Sequence, residues 1–420
     1  VSEPERIHID DLAAPRQTEA ALAAIAKIEQ VPFELTSEAI VAAARAECDV
    51  PLYEEPALIE RLDEYVEAIR ADRDFTRLGR FDKYNNLKRQ LIQRSRLEAL
   101  YLAHPEIDEI EIERPLIIAG LPRSGTTHLL NLLGADPRLR ALPRWEAYQP
   151  IPSLAAQRGE APDDRMAAGQ AGRSRTDLLL PYIKNMYDVP NNGIHEEIEL
   201  QNLCFSSIMM AVDINVSDWT RRYFARDQRP HYAFLKRILK ALQFLSPGER
   251  WVMKSPQHLA FLPALYETFP DATFVITHRD PVAVLASWVT MYVYSARLTR
   301  EPVRVDECRD HAILVQQSFL EGAARDYASL PPDQVEHVYF HEFMADDAGT
   351  LDRIYARAGF VQPPETRAAQ ARYLEEHPRG RHGRLVYDLE GDFGLAREQA
   401  DAIFADYLKT FPVEREEPDA

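Results

Sequence analysis

The segment Gly120-Leu-Pro-Arg-Ser-Gly125-Thr126-Thr127 gathers two glycines, one arginine and three hydroxyl side chains in eight residues. These residue types bind oxyanions. Glycine lets the chain turn tightly, free amides at a helix start point at negative charge, and a guanidinium matches tetrahedral oxyanions with a planar fork. Arg123 is then the cation, and Ser124, Gly125, Thr126 and Thr127 supply amide and hydroxyl donors. A second set follows in His278-Arg279-Asp280-Pro281, with Ser287 eight residues after Arg279. Arg279 leaves the carboxyl end of a predicted strand, where open α/β sheets bind ligands. Pro281 suits a first helical turn, which puts Ser287 two turns in, on a face that returns toward the same anion. Asp280 fits a salt bridge or a helix start better than a metal-binding acid.

Positioning these groups requires strands and helices in alternation. Pro115–Gly120, Trp251–Lys254, Thr273–Thr277 and Val335–Phe340 read as short buried strands. Helical patterns follow them at Leu129–Leu133, Leu259–Phe269, Val282–Tyr294 and Thr350–Ala358. The expected fold is α/β: a P-loop-type parallel sheet flanked by helices. Residues 1–113 read as a helical extension packed on this core, with an apolar stripe at Leu58, Ile59, Leu62, Tyr65, Val66 and Ile69. Residues 114–420 form the α/β domain, interrupted at 143–230 by a mostly helical insertion.

The chain has 420 residues and a net charge of −18, which disfavours nucleic acid as a partner. Its 46% hydrophobic content is that of a globular protein rather than a disordered one. Three scattered cysteines and no CxxC exclude a zinc framework. No apolar run is long enough to span a membrane, and the N-terminal residues lack a leader's apolar stretch, so the expectation is a cytoplasmic protein. The phosphate loop departs from GxxxxGK[ST] by placing Thr126 where the lysine belongs. Its cation sits inside the loop as Arg123, which weakens the case for a Mg-triphosphate.

Together, Pro122-Arg-Ser-Gly-Thr-Thr127, Lys254-Ser-Pro and the pair Arg279 and Ser287 resemble the P-loop sulfotransferases, most closely soluble bacterial ones with a PRSGTT loop. That resemblance, over roughly Pro115 to Leu395, implies an enzyme using 3′-phosphoadenosine 5′-phosphosulfate (PAPS) as co-substrate, with no metal. It implies that Arg123 to Thr127 hold the 5′-phosphosulfate, that Arg279 and Ser287 hold the 3′-phosphate, and that Lys254 contacts the reacting bridge. It also implies that Arg381 and Gly383, in Arg379-Gly-Arg381-His382-Gly383-Arg384, close over the nucleotide. Tyr339 sits where relatives place a tyrosine near adenine, and reads equally as a buried strand residue.

An acceptor hydroxyl benefits from a base that takes its proton. Three residues compete: Glu146, where some relatives carry a catalytic glutamate; His258, four residues after Lys254; and His195 in the insertion. Glu146 is the first choice. Aromatic and methionine residues of the insertion (Trp145, Tyr148, Tyr182, Met186, Tyr187, Phe205, Met209, Met210, Trp219 and Tyr223) suit a small lipophilic or aromatic acceptor. A P-loop kinase and a non-catalytic nucleotide-binding scaffold are the rival readings. The oligomeric state is not encoded in these motifs.

Overall fold

A computed structural model of the chain describes residues 6–212, 214, 216–378 and 384–416. Four helices come first: α1 (Glu19–Glu29), α2 (Ser37–Glu47), α3 (Pro56–Ala71) and α4 (Arg77–Ala103). Thr18, Thr36 and Thr76 cap α1, α2 and α4, each accepting a hydrogen bond from a first-turn amide. The expected stripe of α3 is buried at Leu58, Leu62, Tyr65, Val66 and Ile69.

The central sheet contains β1 (Leu116–Gly120), β2 (Leu139–Arg140), β3 (Arg250–Lys254), β4 (Thr273–His278) and β5 (Val335–Tyr339). All pairings are parallel, in the order β2-β3-β1-β4-β5. This is the α/β architecture read from the sequence. The five residues of β1 are all buried because both faces of the sheet are covered. Leu116 and Ile118 pack on one side with Leu129, Leu133 and Ile354, from α5 (Thr126–Gly134) and α11 (Asp347–Arg357). Ile117 and Ala119 face the other side, as strand alternation requires. There they join α9 (Pro281–Ala296), α10 (Val305–Asp326) and the apolar residues of α3 and α4 in one continuous core.

The insertion contains α6 (Arg144–Tyr148), α7 (Arg165–Leu179) and a 3₁₀ segment, Glu197–Cys204, whose eight residues are all buried. Helix α8 (Arg229–Leu245) leads from it into β3. Far from the sheet in sequence, Arg6–Ile7 and Arg384–Leu385 pair in parallel.

One local expectation changes, and one element was not foreseen. Leu259–Phe269 is not one helix. A 3₁₀ turn at Pro256–Ala260 precedes a helix at Leu262–Thr268, since Pro256 and Pro263 each belong at a helix start. The edge strand β2 has only two residues, too few to show a pattern in sequence.

The chain passes from β1 to β2 on one side of β1 and later crosses to β4 on the other. The carboxyl ends of β1, β3 and β4 therefore meet at a topological switch point, where a crevice opens. Ile118 lies beside Lys254, and Gly120 beside Thr277.

Candidate active site

The loop after β1 is held by its own small residues. A Cβ on Gly120 would come within 1.8 Å of Thr277 Oγ1, so only glycine lets β1 and β4 close there. Ser124 Oγ bonds the Leu121 carbonyl at 2.7 Å and Thr277 Oγ1 at 2.8 Å. That hydroxyl therefore pins the loop to β4. Gly125 caps α5 with φ at 83°, a left-handed conformation that costs glycine nothing. Arg123 also has positive φ, at 69°. Its side chain is over-determined in return: Nε donates to Ser287 Oγ at 3.0 Å, and Nη1 donates to the Met186 carbonyl.

Arg279 leaves β4 as expected and reaches the same place. Its Nη1 donates to the Arg123 carbonyl at 2.5 Å, and its guanidinium lies 3.9 Å from the Phe340 ring centroid. Its other edge holds the carboxylate of Glu416 through two bonds of 2.7 Å. Asp280 accepts from Val282 N at 3.0 Å, which caps α9, and pairs with Arg397 at 2.6 Å.

Lys254 is 2% exposed and its ammonium pairs with Glu196. The next residue braces the strand beneath. Glu197 accepts from Lys254 N at 2.7 Å and bonds His258 Nε2 at 2.6 Å, while His258 Nδ1 meets Tyr232 OH at 2.8 Å. Burial pushes the Glu197 carboxyl up, but the His258 bond and backbone donors outweigh it and hold the group below its ordinary value.

These groups border one cavity of about 1360 Å³. Arg123, Gly125, Thr126, Thr127, Arg279, Ser287 and Lys254 line it, whereas Ser124, His258, Tyr339 and Glu146 do not. Each exception has a physical reason. His258 is wholly buried between Glu197 and Tyr232. The ring of Tyr339 stacks on His278, 4.9 Å between centroids, and its neighbour Phe340 faces the cavity instead. Glu146 sits two residues from Arg144 and from Tyr148, so on a helix it points away from the face those two share. There it meets Arg140, with both carboxylate oxygens 3.1 Å from Nη2. Arg381 and Gly383 lie outside the described residues.

His195 lines the cavity, but its nitrogens face protein. Nδ1 meets Tyr187 OH at 2.8 Å, and Nε2 lies 3.6 Å from Glu199 Oε1. Glu146 and His258 therefore turn no atom to the cavity, and the Nε2 of His195 is buried against Glu199, beyond hydrogen-bond distance. Glu196 does line it, beside Lys254. Sequence reasoning passed over Glu196 although it adjoins His195; the signal available was the paired acid in His195-Glu-Glu-Ile.

The apolar wall includes Met186, Tyr187, Met209, Met210, Trp288 and Met291. Trp288 and Met291 come from α9 and not from the insertion. Phe205, Trp219 and Tyr223 belong to the core, and Trp145 and Tyr182 do not line the cavity. Among the described residues no three His, Cys, Asp or Glu side chains are grouped to hold a metal ion, and no helix is long and apolar enough to cross a membrane.

The fold is a parallel α/β sheet with a glycine-containing strand-turn-helix unit after its central strand, met by a second arginine from the adjacent strand. The model of the sulfotransferase family matches residues 115–364, and the chain belongs to that family. Among solved structures, it is similar to sulfotransferase STF9 from Mycobacterium avium, with 28% identity and a TM-score of 0.80 over 92% of this chain and 99% of that one. It is also similar to sulfotransferase STF1 from Mycobacterium tuberculosis H37Rv, with 25% identity and a TM-score of 0.74 over 88% and 98%. No curated protein sequence matches it.

Proposed function

We propose that this enzyme moves a sulfuryl group from PAPS to a hydroxyl of a small, lipophilic or aromatic acceptor and releases 3′,5′-adenosine bisphosphate. The observation that carries the reading is the meeting of Arg123, Ser287 and Arg279, from two motifs far apart in sequence, at the end of β1. The donor set fits the ligand. Arg279 already grips a carboxylate with both arms of its fork, the geometry that suits a phosphate.

PAPS supplies an activated sulfuryl group on a phosphate leaving group. The chain's own residues do the rest. Thr126, Thr127 and the amides of the loop hold the 5′ end with Arg123. Arg279 and Ser287 hold the 3′-phosphate. Lys254 neutralises charge on the departing oxygen, and a charge buried this deeply acts strongly. Glu196 replaces Glu146 as the proposed base, because it lines the cavity beside that lysine. When Lys254 turns to the leaving oxygen, the carboxylate it pairs with is released to take the acceptor proton.

Isothermal titration with 3′,5′-adenosine bisphosphate against ATP-Mg tests the nucleotide; tighter binding of ATP-Mg would overturn PAPS as the donor. Sulfuryl transfer kinetics test the base. Glu196→Gln should lower kcat by about 10²-fold or more with nucleotide affinity little changed, and Glu146→Gln should keep near-normal turnover. The opposite ranking would return the role to Glu146.

A further inference from the structure

The acceptor half of the cavity contains two guanidinium groups that this reading leaves unused. Arg89 lies on α4 and Arg144 opens α6. Both line the cavity, and they lie 5.6 and 4.8 Å from the ring centroid of Tyr148. Tyr148 stacks in turn on His195 at 5.5 Å. Among the described residues, neither guanidinium has a carboxylate partner, and the buried Nε of Arg89 has no hydrogen-bond acceptor. The acid whose field reaches Arg89 is Glu199; its Oε2 accepts from Asn202 at 2.7 Å and its Oε1 lies 3.6 Å from His195 Nε2, so it forms no ion pair with either guanidinium.

A guanidinium that faces a cavity without an ion-pair partner is open to an anion, and Arg89 and Arg144, both half-buried, set two such forks around one ring. The cavity as a whole carries the same bias. Among the described residues, ten Lys and Arg side chains line it against six Asp and Glu, in a chain whose net charge is −18. Arg173 and Lys184, also in the wall, share Asp177; Arg89 and Arg144 share no such acid.

We propose that the acceptor carries an oxyanion, such as a carboxylate or a phosphate ester, held by Arg89 and Arg144 while its hydroxyl is presented at Lys254 and Glu196. This rests on the sulfuryl-transfer reading and narrows its substrate class to an anionic amphiphile. Met209, Met210, Trp288 and Met291 cover the apolar body.

The probes are 3-(4-hydroxyphenyl)propanoate and its methyl ester, titrated into the enzyme saturated with 3′,5′-adenosine bisphosphate. The acid should bind about tenfold tighter than the ester, as a charge-assisted fork requires. Arg89→Gln and Arg144→Gln should each remove most of that preference and leave nucleotide and ester affinity within about twofold. Arg89→Lys should retain part of it, and unchanged nucleotide binding certifies that each variant is folded. Equal binding of acid and ester, including no binding of either, overturns the proposal. So does a loss of nucleotide affinity parallel to that of the acid in a variant with native melting temperature, which would assign the arginines to the donor. If the nucleotide itself fails to bind wild-type enzyme, the donor reading falls, and the same pair titrated into free enzyme still decides the anion site.

Discussion

At the scale of single residues, the site depends on which charged atoms are committed and which face the cavity. Arg279 is the clearest case. Its fork is shaped for an oxyanion, so Arg279→Ala should weaken 3′,5′-adenosine bisphosphate by about 10-fold or more and AMP far less, since a charged hydrogen-bonded contact is worth about 1.5–3 kcal/mol. Equal losses in calorimetric titrations of the two ligands would remove the dedicated 3′-phosphate role. Glu197 illustrates a residue that acts at one remove, by bracing the backbone of Lys254 and orienting His258. Its carboxyl is held below the ordinary value of 4.5. It therefore contributes stability that is complete above that pH and is lost as the pH falls through the lower folded value. In melting curves taken from pH 7 downward, Glu197→Gln should be less stable than wild type at neutrality, and the gap should narrow below about pH 4.5. A gap that does not change with pH would mean that Glu197 contributes packing alone.

At the scale of elements, the strand-turn-helix unit of β1 and α5 is built around the closeness of β1 to β4. The missing side chain at Gly120 leaves room for Thr277, whose hydroxyl in turn ties down Ser124. Gly120→Ala should cost about 1–3 kcal/mol in chemical denaturation, the usual range for overfilling a packed core. It should also weaken nucleotide binding, because the strand and the loop cannot both stay in place. Normal stability in this variant would show that β4 yields easily. Helix α6 shows the same scale from the other side. Its five residues put Arg144 and Tyr148 on the cavity face and Glu146 on the face toward Arg140, a partition set by helical geometry alone.

At the scale of the whole molecule, a segment far along the chain completes the site. Arg397 pairs with Asp280 and donates to the Glu416 carbonyl at 2.7 Å, and Asp280 accepts from Glu416 N at 2.9 Å. These bonds deliver the Glu416 carboxylate to Arg279; under the proposed function, that carboxylate and the 3′-phosphate compete for one fork. The pair is partly exposed, at 21% and 32%, and such pairs contribute about 0.5–1 kcal/mol. Glu416→Gln should therefore tighten 3′,5′-adenosine bisphosphate by about two- to fivefold in calorimetry, with a smaller change for AMP. No change, or weaker binding, would mean that Glu416 does not compete.

The family, the parallel sheet and the convergence of Arg123, Arg279 and Ser287 from two motifs on one place were legible in the sequence. Each rests on short-range requirements: two glycines and hydroxyls between a strand and a helix, five-residue buried runs, an arginine at a strand end followed by a helix. What the sequence left undecided was the partner of every acid. Glu146 and Glu196 are equally plausible bases as letters, and only folding set one against Arg140 and the other beside Lys254. His258 lies one turn from Lys254 in sequence, but Glu197 and Tyr232 hold it inside the core. Arg89, Arg144 and Glu416 carried no motif at all. The roles proposed for them arise because tertiary packing brings α4, α6 and a distant segment to one cavity, and the energy of a buried charge depends on neighbours that sequence spacing does not specify.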